Sequence, residues 1–253
     1  MTADEKRKSV ANKYRTILGR NRYSQTKRSF VYKKASDGKY YSDCSSSIAA
    51  TYQEVGIPVR DSNGYALPNT VGMYSSNDLV DVPVKIRSDG TIQNPEVLRV
   101  GDLLLFAGND QSRKYAGFVG HVEMIYSISG SRITICGHGS GTPRTTEMNG
   151  YCRSRRNQKA STDLGHRGLI RVRRRIADDN VNGNGGNGMK KVIVTGNTVN
   201  VRSGPGTQYK VLKIAKLGEE YPYVATAEAN GWPAIEIGGE IGWISNKYAQ
   251  IKE

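Results

Sequence analysis

The run Asp178-Asp179-Asn180-Val181-Asn182-Gly183-Asn184-Gly185-Gly186-Asn187-Gly188 is rich in Asn and Gly and contains no aromatic residue. Such a stretch has too little apolar surface to pack and reads as a flexible tether. No predicted strand precedes its glycines and no helix follows them, so a phosphate-cradling loop is a poor reading. The tether divides the 253 residues into a long part, 1–177, and a short part, 189–253. Each part must then build a core of its own.

In the long part, Thr2 and Glu5 fit a capping box, and Val10, Tyr14, Ile17 and Leu18 form one apolar helical face that Gly19 ends. A second helix is predicted from an Asp43 N-cap to Gly56, burying Ile48, Ala49, Tyr52 and Val55. Strands are expected at Gly101–Phe106, His121–Ile128, Arg132–His138 and Gly168–Ile176. Helices first and an antiparallel sheet afterwards imply an α+β domain. In the short part, β-type runs alternate with turns at Gly204-Pro205-Gly206, Asn230-Gly231 and Gly238-Gly239, which predicts a small all-β barrel.

Charge narrows the partners. Residues 1–177 hold 29 Lys and Arg against 15 Asp and Glu, the whole of the net excess of +14. The long part should therefore meet a polyanion: nucleic acid, an anionic membrane, or phosphate-rich polymers of a bacterial wall. No zinc-finger, basic-zipper or aromatic RNA-binding pattern supports nucleic acid. No apolar run reaches membrane-spanning length, so membrane insertion is not expected. The N-terminus is charged where a secretory signal needs an apolar core, which points to synthesis in a cytoplasm without such a signal.

Three cysteines, Cys44, Cys136 and Cys152, do not make a disulfide framework and favour free thiols. Cys44 follows the Asp43 N-cap, in the first helical turn, where unpaired N–H groups and the helix dipole favour thiolate over thiol. Cys136 lies within a strand and Cys152 beside Arg153, Arg155 and Arg156, neither with such support. Of three histidines, His121 and His138 fall on adjacent strands joined by Ser129-Gly130-Ser131. With a Ser129-Gly130 turn His121 lies opposite His138; with a Gly130-Ser131 turn His138 faces Glu123. Either register puts His121, Glu123 and His138 on one sheet face. The expected set is Cys44 as nucleophile, His121 as base and His138 as orienter, and two imidazoles on opposite faces would be incompatible with it. Glu123 is open between a surface or core-edge carboxylate and a second polar support. A zinc site from His121, Glu123, His138 and His166 is the competing reading; it lacks a His-Glu-x-x-His spacing and leaves Cys44 idle, so no metal or cofactor is expected.

Asp43-Cys44-Ser45 at a helix start, Gly101-Asp102-Leu103-Leu104-Leu105-Phe106, Gly120-His121-Val122 and then His138 resemble the NlpC-type cysteine peptidases over about residues 20–140. His121-Val122-Glu123-Met124 and Cys136-Gly137-His138-Gly139-Ser140-Gly141-Thr142-Pro143 look like phage lysins. The resemblance implies a papain-like fold that cleaves peptidoglycan stem peptides with a Cys-His-His set. It places Asp43 and Ser45 on the substrate side and matches Tyr23 to that family's tyrosine near the nucleophile; Glu123 is carried beside them as a further candidate substrate-side residue. One departure is Ser46, where that family usually has Gly. The related CHAP amidases share Cys and Gly-His-Val but usually have Asn or Glu as the third residue; His138 points to the NlpC type. Asn200-Val201-Arg202-Ser203-Gly204-Pro205-Gly206, Gly231-Trp232 and Gly242-Trp243-Ile244-Ser245 resemble a bacterial SH3-like domain over 190–251. In lysins such modules bind the wall, which makes Trp232 and Trp243 its candidate contacts; the bland alternative is that both are mostly core.

The combined expectation is an endolysin acting at the bacterial wall and cutting the γ-D-glutamyl–diamino acid bond, with peptidoglycan and anionic wall polymers as partners. The alternatives are an N-acetylmuramoyl-L-alanine amidase and a non-catalytic wall-binding protein. Met189 is a second candidate start, because Gly185-Gly186 can be encoded as a ribosome-binding sequence; a free C-terminal module would then join the full chain. A plain linker followed by an ordinary methionine is the competing reading.

Overall fold

The computed structural model describes residues 1–179, 190–227, 229–237 and 240–252. Helix α1 (Ala3–Arg15) opens on the expected capping box: the Thr2 hydroxyl accepts from the Glu5 N–H, and the Glu5 carboxylate accepts from the Thr2 N–H. Its Val10 and Tyr14 pack with Ile17 against Ile48, Ala49 and Tyr52 of α2 (Cys44–Glu54). Between the helices, β1 (Arg22–Tyr23) and β2 (Tyr41–Ser42) make a short parallel pair.

Beyond the short α3 (Thr70–Ser75), six strands form an antiparallel sheet: β3 (Val80–Asp81), β4 (Leu103–Ala107), β5 (Val119–Ser129), β6 (Arg132–Gly137), β7 (Arg144–Glu147) and β8 (Leu169–Arg174), in the order β3-β8-β4-β5-β6-β7. Strand β4 is central and apolar throughout because both of its faces are covered. Leu103 and Leu105 join the core under α1 and α2, while Leu104 and Phe106 join a second core under α4 (Met148–Asn157). The domain is mixed helix and sheet, but its helices do not all come first: α4 lies between β7 and β8. It starts where the Glu147 carboxylate accepts from the N–H groups of Asn149 and Gly150.

The expected tether does not begin freely at residue 178. The Asp178 carboxylate pairs with Arg7 at 2.5 Å and Arg99 at 3.3 Å, and Asp179 accepts from the Ala3 N–H. Residues 180–188 and the candidate start Met189 lie outside the described residues.

The tail is all β, as its turn pattern predicts. Strands β9 (Lys191–Val194), β10 (Thr198–Arg202), β11 (Val211–Lys216), β12 (Glu220–Thr226), β13 (Pro233–Ile237), β14 (Glu240–Trp243) and β15 (Ala249–Lys252) run in the order β11-β10-β14-β13-β12-β9-β15 around Val192, Val194, Val201 and Ile235. Trp243 does not face outward. It is buried in an apolar cluster with Ala225, Ala234, Ile241 and Val80 of the long part, and its indole N–H has no partner among the described residues. Here it is an interface residue, unavailable to a wall ligand. Trp232 packs at the edge of the same cluster and is half-buried.

Candidate active site

Cys44 sits where the sequence places it, as the first residue of α2. The Asp43 carboxylate caps the helix by accepting from the Ser46 N–H at 2.6 Å, and the Ser46 hydroxyl accepts from the Asp43 N–H at 2.8 Å. Ser46, the departure from the resembled family, thus closes a reciprocal capping box. Asp43 and Ser45 are buried and already engaged: Arg28 donates to Asp43 at 2.8 Å and to Ser45 at 2.8 Å, and the Ser45 hydroxyl donates to Asp43. Burial works against the Asp43 carboxylate, but Arg28 and the Ser46 and Ser45 donors hold its pKa below the usual range. These two residues build the helix start under the nucleophile. Arg28 comes from a loop fifteen positions upstream of Asp43, and no local pattern announces it.

His121 meets a carboxylate. Its Nε2 lies 2.8 Å from Oε1 of Glu123, a buried residue. A carboxylate can only accept, so Nε2 carries the proton and Nδ1 is left for Cys44. Burial pulls the His121 pKa down, yet the hydrogen bonds to Cys44 and Glu123 and their negative charges outweigh it and raise the pKa from 6.5 to about 9. The Tyr151 hydroxyl bonds Glu123 as well, and burial together with that carboxylate pushes its own pKa far up. Phe106 and Tyr151 border the imidazole, each with ring centroids 6.3 Å away. Tyr151 belongs to α4, a helix the sequence reading missed, so its role at Glu123 was missed with it.

His138 is not the orienter of His121. The hairpin closes on a Gly130-Ser131 turn, pairing Ser129 with Arg132, which is one of the two expected registers. The register then slips by one between Ile125 and Ser127, so Met124 pairs with Cys136. One slipped residue exchanges the faces of everything beyond it. Gly137 now lies against Glu123, where a Cβ would overlap the carboxylate. His138, past the strand end, has partners of its own: Nδ1 lies 2.8 Å from the Ser42 hydroxyl, Nε2 lies 3.1 Å from the Gly141 carbonyl, and the ring meets Tyr23 edge-on at 5.2 Å. The carbonyl requires the proton on Nε2, so Nδ1 accepts from Ser42. Burial lowers the His138 pKa from 6.5, against the weaker pull of the Gly141 carbonyl. His121 is thus bonded to Glu123 and Cys44 rather than to His138, which lies nearby against Tyr23 and Ser42.

The remaining candidates fall away from this cluster. His166 pairs in a bridge with Lys159 and accepts from the Gly168 N–H. Among the described residues no group of three or more His, Cys, Asp or Glu is arranged to hold a metal ion. Burial, and next the Glu123 charge, push the Cys136 thiol well up, and burial pushes Cys152 up to about 12. Neither is a rival nucleophile. Tyr23 is largely exposed and near Cys44, whose charge follows burial in raising the Tyr23 pKa. No helix among the described residues is long and apolar enough to cross a membrane.

Comparison with known proteins bears mainly on the tail. No curated protein matches the chain. The chain overlaps the crystal structures of Ly7917, alone and with the hydrolyzing product of MDP, at 13% identity over 99% of this chain and 98% of that one. The TM-scores are 0.34 and 0.35, too low to carry an argument about the long part. Residues 197–250 match the bacterial SH3 domain family.

Proposed function

We propose that the chain is a peptidoglycan amide hydrolase of the cysteine type, held at the bacterial wall by its SH3 tail. The observation that carries this reading is Cys44 at a helix N-terminus beside an imidazole whose far nitrogen is bound to a buried carboxylate. In this scheme the Cys44 sulfur attacks a stem-peptide carbonyl and forms a C–S bond, while the oxyanion is met by the Cys44 N–H. The C–N bond then breaks as His121 passes its proton to the departing amine. Water attacks the thioester, His121 takes its proton, and the sulfur is released. Glu123 keeps the ring oriented and favours its charged form, and Tyr151 steadies Glu123.

CHAP amidases usually have Asn or Glu as the third residue, so a Glu123 bonded to His121 favours the N-acetylmuramoyl-L-alanine amidase reading more than a His138 set would. The γ-D-glutamyl–diamino acid bond remains the other reading of the same chemistry. Mass spectrometry of products from purified wall decides between them, with the Cys44→Ala chain as control. New amine and carboxyl ends should appear with wild type alone. Equal wall clearing by both chains would leave a non-catalytic wall binder as the better account.

A further inference from the structure

The cleft beside His121 is more basic than the chemistry at Cys44 requires. It has a volume of about 540 Å³ and is lined by Asp110, Arg113, Arg155 and Arg167 as well as His121. Gly108 and Gly120 form part of its wall and touch each other; a Cβ on either would run into the other's Cα. Asp110 is the one carboxylate lining the cleft among the described residues, and it is taken by Arg113 at 2.6 Å and by the Ser112 N–H at 3.1 Å.

Arg155 and Arg167 have no carboxylate in direct ion-pair contact among the described residues; Arg155 Nη1 donates only to the Gln158 amide oxygen, at 3.4 Å. Both are half-buried, and the Nε of each is buried without a hydrogen-bond partner among the described residues. Arg155 donates from Nη2 to the Ala107 carbonyl at 2.9 Å, a neutral acceptor. Burial lowers the Arg155 pKa, and the Arg167 charge adds to that against the pull of Tyr151, Glu123 and Cys44. Glu123, the carboxylate that acts on Arg155, is already bonded to His121 and Tyr151, so two like charges partly withdrawn from water favour a further anion. A pair of planar guanidinium groups suits a carboxylate, which can accept from both.

We propose that Arg155 and Arg167 receive the free α-carboxylate of a γ-linked glutamyl residue in the stem peptide, which makes them specificity-determining residues. The inference rests on the hydrolase reading above. A γ-linkage spends the side-chain carboxyl on the amide and leaves the α-carboxylate charged. That anion therefore travels with the peptide whose bond is presented to Cys44, and the cleft that would take it opens beside the His121 ring.

The test uses the full chain and two soluble muramoyl-peptide fragments, each carrying both the muramoyl–alanine and the glutamyl–diamino acid bond, that differ only in an α-carboxylate or an α-carboxamide at the glutamyl residue. Wild type should prefer the acid at least tenfold in kcat/KM, through KM. In Arg167→Gln that preference should fall toward one. Arg167 is the cleaner position, since Arg155 also holds the Ala107 carbonyl. Equal turnover of acid and amide by wild type, or the same preference in the variant, overturns the proposal. If wild type cuts neither bond of either muramoyl-peptide fragment, one bond being muramoyl–alanine and the other glutamyl–diamino acid, the hydrolase reading fails, and calorimetry on the Cys44→Ala chain still decides the site. Tenfold tighter binding of the acid than the amide sustains the arginine pair; equal or undetectable binding of both overturns it.

Discussion

His121 and His138 lie on neighbouring strands or just beyond them, only seventeen positions apart, yet they have opposite chemistry. His121 is bonded to the Glu123 carboxylate and to Cys44, and its pKa rises to about 9. His138 is held between a hydroxyl and a carbonyl, neither charged, and burial lowers its pKa. The difference is one of partners rather than depth, since both rings are largely withdrawn from water. A histidine bonded to a carboxylate can hold and deliver a proton at neutral pH. One bonded to neutral groups stays neutral and serves as a structural brace.

The largest effect expected from breaking this contrast is at Glu123. Glu123→Gln keeps the shape and a carbonyl oxygen for Nε2 but removes the charge that favours the imidazolium. Wall hydrolysis should fall roughly a hundredfold in kcat, within the range for disturbed acid–base catalysis. The alkaline limb of the pH–rate profile, set by His121 near 9, should move to lower pH. An unchanged limb would mean that Glu123 does not act through His121.

A second, smaller effect concerns stability, and the two rings predict limbs of opposite sign. His121 has a folded pKa above its ordinary 6.5, so its contribution is fully present below 6.5 and is lost as pH rises through about 9. His138 has a depressed pKa, so its neutral form favours the fold above 6.5, and that contribution is lost as pH falls toward the folded value. Thermal melts across about pH 5–10, the range these groups span, should show His121→Gln flattening the alkaline side and His138→Gln flattening the acid side. The same limb flattened by both variants would sink the distinction.

Much of the architecture was legible. Asp43 as an N-cap, the Thr2 and Glu5 box, and the runs that become β4, β5, β6 and β8 all follow from local pattern. The third member of the site was not, for a specific reason. Either hairpin register keeps His138 on the His121 face only if the ladder is regular, and the slip at Tyr126 breaks that regularity without a Gly or Pro there to announce it. Gly137 was the available clue: a strand residue without a side chain marks a close approach, here by Glu123. Helix α4 also has a readable signature in Met148, Tyr151 and Cys152 after Glu147, but Gly150 and its run of polar residues hide it. Trp243 illustrates a further limit, because its burial depends on Val80, which lies far away in sequence.

The smallest catalytic effect is expected at His138 itself, and it separates a brace from an orienter. His138→Leu removes the Nδ1 acceptor from Ser42 and the Nε2 donor to Gly141, leaving a buried hydroxyl and a carbonyl without their partner. The buried Ser42 hydroxyl left without an acceptor costs on the order of 1 to 3 kcal/mol, while Gly141 is exposed and its carbonyl can turn to water, so the melting temperature should drop clearly. Ser42 can still bond Asn21, which donates to its hydroxyl at 3.3 Å, and this limits the loss on that side. His121 keeps Glu123 and Cys44 throughout, so kcat measured below the melting transition should change by no more than about threefold, a small fraction of an acid–base contribution. His138→Gln, which can offer an amide donor to Gly141 again, should recover part of the stability with kcat still near wild type. A kcat loss in His138→Leu as deep as that of Glu123→Gln would return His138 to the catalytic set.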